Sequence, residues 1–125
     1  MIAGVLVLAS TAAVAALRRA AHRAGLGDRV RAEAGDASRL AAVAPAGRLD
    51  VVVVNPPRKG LAPAVIEAIA AARPARVVYV SCGPQSLGRD LERLGAAGFA
   101  VTAIEPFDLM PGTAQVETVV RLEHR

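Results

Sequence analysis

Polar residues that could do chemistry follow or precede apolar runs at four places in this 125-residue chain. They are Gly35-Asp36, Asn55-Pro56-Pro57-Arg58, Ser81-Cys82-Gly83-Pro84, and the segment from Pro111 to Glu117. Together they offer a thiol, carboxylates, an amide and a guanidinium. These are the groups that nucleophilic and acid–base catalysis use.

Each of these residues also has an ordinary structural explanation. Asp36 is well placed to cap a short helix, which Asp does routinely. Paired prolines at 56 and 57 form a rigid turn, because proline fixes φ and lacks a donor. Cys82 is the single cysteine, and an isolated cysteine is more often a small buried hydrophobe than a nucleophile. Glu117 taken alone fits a surface carboxylate on an edge strand. No one of these residues indicates catalysis by itself.

Apolar periodicity predicts the elements that position these residues. Strands are predicted at 2–8, 29–35, 49–55, 75–81, 99–105 and 115–123, and helices at 10–24, 38–44, 63–73 and 86–98. The helix 10–24 has Ser10 as N-cap and Gly25 beyond its end. The run 49–55 is apolar on both faces, which predicts burial between two layers.

Alternating strands and helices with short connections predict a largely parallel α/β sheet with right-handed crossovers, in one domain spanning residues 1–125. In such sheets ligands bind at the carboxyl ends of the strands. The polar clusters that follow strands are therefore expected to face one crevice.

Composition narrows the class of protein further. The chain is 54% apolar but only 2% aromatic, so its core must be built from Ala, Val and Leu. One cysteine excludes an internal disulfide framework and a cysteine-rich metal site, and it favours a reducing compartment, by default the cytoplasm. The net charge of +4 permits a polyanionic partner such as RNA without identifying one.

The stretch MIAGVLVLASTAAVAALRR (1–19) needs separate consideration, because an apolar run precedes a basic pair. It lacks a positive segment ahead of the run, and it is shorter than the roughly 20 apolar residues that span a bilayer. A strand followed by a helix is therefore preferred. A membrane anchor formed by residues 2–17 is the alternative.

Three segments together resemble one known family. They are LDVVVVNPPRKGL (49–61), VVYVSCGPQSLGRDLERL (77–94) and PFDLMPGTAQVETVVRL (106–122). In order, spacing and residue type they are similar to the C-terminal half of the bacterial RNA (uracil-5-)-methyltransferases, which make 5-methyluridine with S-adenosylmethionine. The resemblance extends from about residue 30 to the end and, more loosely, over 10–24. Asn55 in NPPRKG favours the branch that acts on 23S ribosomal RNA over the transfer RNA branch.

The resemblance implies roles for two residues. Uracil C5 is a poor nucleophile until a thiolate adds at C6, and Cys82 matches that nucleophile. A base must later remove the C5 proton, and Glu117 matches that base. A neighbouring Arg58 or Arg89 would lower the pKa of the thiol.

Other positions match the family's binding and site-shaping residues. Asp36 matches a position near the adenine or ribose of S-adenosylmethionine, and Asn55 matches the polar group lining the methyl donor's pocket. Pro56, Arg58 and Thr113 match residues that shape the substrate site. Tyr79 and Phe107 could stack on a flipped base, but a place in the core is preferred for both.

The sequence also departs from the family pattern. Gly83 stands where Asn is common, Leu109-Met110 where Met-Phe is common, and Gln115 where His is common. The family's glycine-rich loop has no counterpart in this sequence. Its acidic residue for the ribose hydroxyls has none either, since 1–27 contains no Asp or Glu.

The implied fold is thus a Rossmann-like class I methyltransferase sheet truncated at its N-terminus. Its missing first strand would lie between 2–8 and 49–55, and without it those strands must pair directly, recruit a strand or fail to fold alone. We expect the catalytic half of a longer enzyme, completed by an N-terminal region or a second chain. A noncatalytic remnant or RNA-binding module is the alternative.

Overall fold

The computed structural model describes residues 5–43, 49–109, 111–113 and 116–125, with the backbone alone described at 5–9, 41 and 43. The strands are β1 (Val5–Ala9), β2 (Val30–Ala34), β3 (Val51–Val54), β4 (Arg76–Ser81), β5 (Phe99–Phe107) and β6 (Glu117–His124). The helices are α1 (Thr11–Arg23), α2 (Leu40–Val43), α3 (Pro63–Ala72) and α4 (Pro84–Ala96), with a 3₁₀ turn at Ala37–Arg39. The α/β class predicted from the sequence is confirmed.

Local signals at the helix ends explain where the helices begin and stop. Ser10 caps α1 by accepting a hydrogen bond from the Ala13 amide at 3.3 Å, and Gly25 adopts φ +71° beyond its end, both as predicted. Pro63 and Pro84 occupy the first positions of α3 and α4, where proline's missing donor costs nothing. Because of Pro84, α4 begins two residues earlier than predicted.

The strands form two separate sheets in place of the single sheet expected. β1 and β2 pair in parallel, and a second sheet has the order β3-β4-β6-β5. The expectation of a largely parallel sheet is wrong for β6, which runs antiparallel to both β4 and β5. The connection 108–116 explains the reversal, because it is shorter than the dozen or more residues that a parallel crossover needs.

The prediction that residues 49–55 are buried between two layers is wrong. Among the described residues β3 has a strand partner, β4, on one side only. Val52 and Val54 pack on the core, whereas Val51 and Val53 are 43% and 66% exposed on the other face. Direct pairing of β1 with β3, one of the three outcomes foreseen, is not found in the part of the chain that the structure describes.

The main core lies between the four-stranded sheet and the helices α3 and α4. The prediction of a core built from Ala, Val and Leu holds only in part, because isoleucine and two of the three aromatic residues are also buried here. The fully buried members include Ile69, Val77, Tyr79, Leu94, Phe99, Val120 and Leu122. The alternating burial along β4 turns Val77, Tyr79 and Ser81 toward these helices. No helix in the described ranges has the length and apolarity needed to span a membrane.

Candidate functional site

Three predicted site residues lie at one end of the four-stranded sheet. Asn55 directly follows β3 and Cys82 directly follows β4. In the antiparallel pairing of β4 with β6, Ser81 is opposite Thr118, so the next residues outward are Cys82 on one strand and Glu117 on the other. The candidate nucleophile and the candidate base therefore lie at the same end of the sheet, on neighbouring strands. Both side chains are half-buried.

A buried carboxylate holds the loop that follows β3. Asp90 on α4 is fully buried, and its Oδ2 accepts hydrogen bonds from the Tyr79 hydroxyl and the Leu61 amide, both at 2.7 Å. Its Oδ1 lies 3.3 Å from Nε of Arg89, whose Nη2 also donates to the Lys59 carbonyl. Asp90 thus ties the end of the 55–61 loop to β4 and α4.

Gly60 lets this loop approach Asp90 closely. Its φ is +82°, in the left-handed region that favours glycine. A Cβ atom there would lie 2.5 Å from Oδ2 of Asp90 and 2.6 Å from Nη2 of Arg89. Any side chain at this position would therefore displace the hydrogen-bonded groups.

Ser86 makes a second connection between the two loops. Its Oγ donates to the Arg58 carbonyl at 2.6 Å and lies 3.1 Å from the Gly83 carbonyl. A Cβ at Gly83 would come within 3.1 Å of both the Arg58 carbonyl and the Ser86 Oγ. A side chain at position 83 would therefore require these neighbours to shift by a few tenths of an ångström.

Asp36 lies at the end of β2, in the other sheet. Its Oδ1 accepts a hydrogen bond from the Ser38 amide at 2.8 Å, so the capping role considered for it is confirmed. That hydrogen bond lowers the pKa of the Asp36 carboxyl below its ordinary value. The side chain is exposed, and its role toward a cofactor stays a prediction.

The remaining predicted residues divide by burial. Pro56 is buried, whereas Arg58 and Thr113 are exposed. Tyr79 belongs to the core, as preferred, but the same preference for Phe107 is wrong, since it is 42% exposed at the end of β5. Of the family departures, Met110 and Gln115 lie outside the described residues.

Sequence reasoning missed Asp90, Arg89 and Ser86 as contributors to the site. In the sequence, Arg89 and Asp90 stand out only as part of the motif that resembles the family. Arg89 is predicted to lie near Cys82, but in the structure its guanidinium contacts Asp90 and the Lys59 carbonyl. The sequence nevertheless contains a signal that singles out Asp90. Leu87, Asp90 and Leu94 share one buried face of α4, so a carboxylate occupies a core position of an amphipathic helix.

Comparison with solved structures defines the class of protein. The structure of Pyrococcus abyssi tRNA (uracil-54, C5)-methyltransferase, in complex with S-adenosyl-L-homocysteine, matches 95% of this chain with a TM-score of 0.78 and 28% sequence identity. The match covers 28% of that longer chain. The fold is that of the class I S-adenosylmethionine-dependent methyltransferases.

The family follows from the sequence comparisons. The family model for tRNA (uracil-5-)-methyltransferase matches residues 37–125, so the chain belongs to this family. An uncharacterized RNA methyltransferase of Geobacter sulfurreducens is 49% identical over 92 residues, and one of Gloeobacter violaceus is 52% identical over 87 residues. These alignments cover 72% and 70% of this chain. The chain spans about a fifth of each of these relatives, 19% in both cases.

S-adenosylmethionine is the cofactor of this family, and polar groups stand at the strand ends where the resemblance predicts contacts with it. Asp36 presents a carboxylate after β2, and Asn55 presents an amide after β3. The residue after β1 is Ser10, whose Oγ caps α1, so no carboxylate stands at that strand end to hold the ribose hydroxyls. The fit of the described residues to the cofactor is therefore partial.

The requirement for glycine at position 60 can be tested with a matched pair of variants. Gly60→Ala should lower the free energy of unfolding by about 1–3 kcal/mol, because it combines a positive φ with a clash against the Asp90 contacts. Gly88→Ala, in α4 with nothing within 4 Å of the added Cβ, should raise it by about 0.5–1 kcal/mol. Urea unfolding measures both. Equal changes in the two variants would argue against a closely packed loop.

The ionisation of Tyr79 tests its contact with Asp90. Burial, together with the hydrogen bond to Asp90, raises the pKa of the phenol above its ordinary value of 10.0. The folded state therefore holds this proton more tightly than the unfolded state, and the resulting stability is present below pH 10 and lost as pH rises further.

Ultraviolet absorbance of the phenolate reports this group alone, because the chain has one tyrosine. We expect no ionisation of the folded protein near pH 10, and a shallower alkaline loss of stability in Tyr79→Phe. Reversible ionisation near pH 10 in the folded protein would contradict the buried contact.

Proposed function

We propose that this chain carries the catalytic portion of an enzyme that methylates C5 of uridine in RNA, through a covalent adduct between Cys82 and C6 of uracil. The observation that carries this proposal is that Cys82 and Glu117 each lie one position beyond Ser81–Thr118, the last pair of β4 with β6. Membership of the RNA (uracil-5-)-methyltransferase family supports it.

Cys82 starts the chemistry. Its thiolate adds to C6 of the uracil ring, which forms a C–S bond and moves the ring electron pair onto C5 and the O4 enolate. C5 thereby becomes a nucleophile. S-adenosylmethionine, when bound, supplies the methyl group from its sulfonium centre. Cys82 lies half-buried between β4 and the start of α4, so its sulfur is accessible to a uracil ring bound at this end of the sheet.

Glu117 completes the reaction as general base. After C5 has accepted the methyl group it carries one proton too many, and the Glu117 carboxylate removes that proton. The electron pair then expels the Cys82 thiolate from C6 and restores the aromatic ring. A base is needed only in this second half, so loss of Glu117 should stop the reaction after methyl transfer.

The surrounding residues orient the reactants. Asn55 and Asp36 would hold the methyl donor, at the ends of β3 and β2 respectively. Pro56 and Arg58 form the loop wall opposite Cys82, and Ser86 fixes this wall through the Arg58 carbonyl. Thr113 would shape the pocket on the side of the β5–β6 connection.

We assign 23S ribosomal RNA as the substrate, because the motif NPPRKG with Asn55 is typical of that branch. The solved Pyrococcus abyssi relative is a tRNA methyltransferase, which makes transfer RNA the competing substrate. Methyl transfer to each RNA, assayed side by side, distinguishes the two.

A noncatalytic RNA-binding module is the second candidate. Leu8 in β1 stands where the resemblance places the acidic residue for the ribose, and this favours a chain that does not hold the cofactor by itself. Such a module would bind RNA equally well with Cys82→Ser, and it would form no adduct.

An RNA containing 5-fluorouridine tests the catalytic proposal directly. With the family's N-terminal region supplied to restore cofactor binding, and with S-adenosylmethionine present, the protein should form a stable adduct at Cys82, since fluorine cannot leave C5 as a proton does. Cys82→Ala should form none. Mass spectrometry of the digested complex identifies the attached residue. No adduct in the completed protein with bound S-adenosylmethionine, or attachment at another residue, would refute the Cys82 mechanism.

The role of Glu117 needs ordinary uridine RNA. Glu117→Gln should accumulate methylated RNA bound to Cys82, and release should slow by about 10²–10⁴-fold. Glu123→Gln is the matched control, because Glu123 lies on the same strand in an exposed ion pair with Arg76. Turnover by Glu117→Gln at the control's rate would remove Glu117 from the base role.

A further inference from the structure

An open cavity of about 370 Å³, with a mostly apolar wall and cationic side chains along it, lies beside the loop that Asp90 holds. Its lining consists of Lys59, residues 60–63, Arg89 and Arg93. Three of these seven residues are cations, and none is acidic. Neither Cys82 nor Glu117 lines the cavity, but one of its walls is formed by the loop that carries Asn55 and Arg58.

Two of the three cations remain available to a ligand. The Arg89 guanidinium is committed to Asp90 and to the Lys59 carbonyl, which makes it part of the wall. Lys59 and Arg93 have exposed side chains at the cavity. The positive charge of the cavity therefore exceeds what Asp90 can neutralise.

The spacing of the arginines on α4 also favours a bound anion. Arg89 and Arg93 are four residues apart, so they are neighbours on one helix face. Like charges at this spacing destabilise a helix. An anion bound in the cavity would relieve that repulsion.

The start of α3 completes the site. Its N-cap, Ala62, offers no side-chain hydrogen bond, and the first turn contains no acidic residue. The positive end of the helix dipole therefore adds to the cationic side chains in attracting an anion. The first-turn amides contribute little, because Pro63 has no N–H and the Val65 and Ile66 amides donate to the Ala62 carbonyl.

We propose that this cavity binds a backbone phosphate of the RNA substrate next to the target uridine. The inference rests on the proposed function, which makes RNA the polyanion brought to this edge of the protein. A phosphate held by Lys59 and Arg93 would fix the strand against the 55–61 loop. Such contacts position the nucleic acid without reading its sequence.

The test removes the two available cations and compares RNA binding with a charge-matched control. Lys59→Gln with Arg93→Gln forms the test variant. Arg19→Gln with Arg29→Gln loses the same charge at exposed positions on α1 and ahead of β2. Fluorescence anisotropy with a uridine-containing RNA hairpin, repeated over a range of salt concentrations, gives the affinity and its salt dependence.

The test variant should bind the hairpin about tenfold more weakly at low salt. Its slope of log affinity against log salt should fall by about one, as expected for one lost phosphate contact. The control should keep the slope of the parent. Equal slopes in both variants, or no binding of the hairpin by the parent chain, would overturn the proposal.

Inorganic phosphate separates an RNA phosphate from a free one. If phosphate titration perturbs the amides of Gly60, Leu61 and Ala62 while the test variant keeps full RNA affinity, the cavity is a site for free phosphate and the RNA assignment is wrong. Adduct formation at Cys82 with saturating RNA is a separate readout. RNA binding through the cavity without any adduct would keep the phosphate site and remove the methyl transfer.

Discussion

The Asp90 carboxylate is the group on which the arrangement of the candidate site depends. A fully buried charge is costly unless hydrogen bonds and an opposite charge compensate it. Here the compensation comes from Tyr79 on β4, from the Leu61 amide ahead of α3 and from Arg89 on α4. Since Cys82 follows β4 and Asn55 begins the loop that ends at Leu61, one buried group ties together the segments carrying the candidate chemistry.

The hydrophobic core packs around Asp90 on one face of the four-stranded sheet, whereas the other face of the sheet is exposed at β3. The aliphatic core between the four-stranded sheet and α3 and α4 encloses Asp90 together with Tyr79. On the opposite face of β3, Val51 and Val53 are exposed, and within the described residues β3 pairs with β4 alone. An open strand edge next to apolar side chains is a place where a further strand could pair.

Local features of the structure could be predicted from the sequence, and non-local ones could not. The caps of α1 and the extents of β2 and α3 follow from Ser10, Gly25 and short-range apolar periodicity. The two sheets separate between β1 and β3, where the resemblance implies a missing strand, but the antiparallel place of β6 between β4 and β5 was not predicted, because the pairing partners of a strand are remote in sequence. The role of Asp90 was missed for the same reason, since the Leu61 amide that it binds is 29 residues away. Cys82 and Glu117 were found only by their resemblance to a family.

Hydrogen exchange at the Leu61 and Gly60 amides tests the central claim, which is that Asp90 holds the loop in place. In Asp90→Asn one carboxylate oxygen becomes an amide donor facing Arg89 or the Leu61 amide, so the contacts cannot all be kept. The account predicts faster exchange at these amides than global unfolding of the variant allows, with Asp28→Asn, at an exposed loop position, behaving as the parent. Unchanged protection of both amides in Asp90→Asn would contradict it.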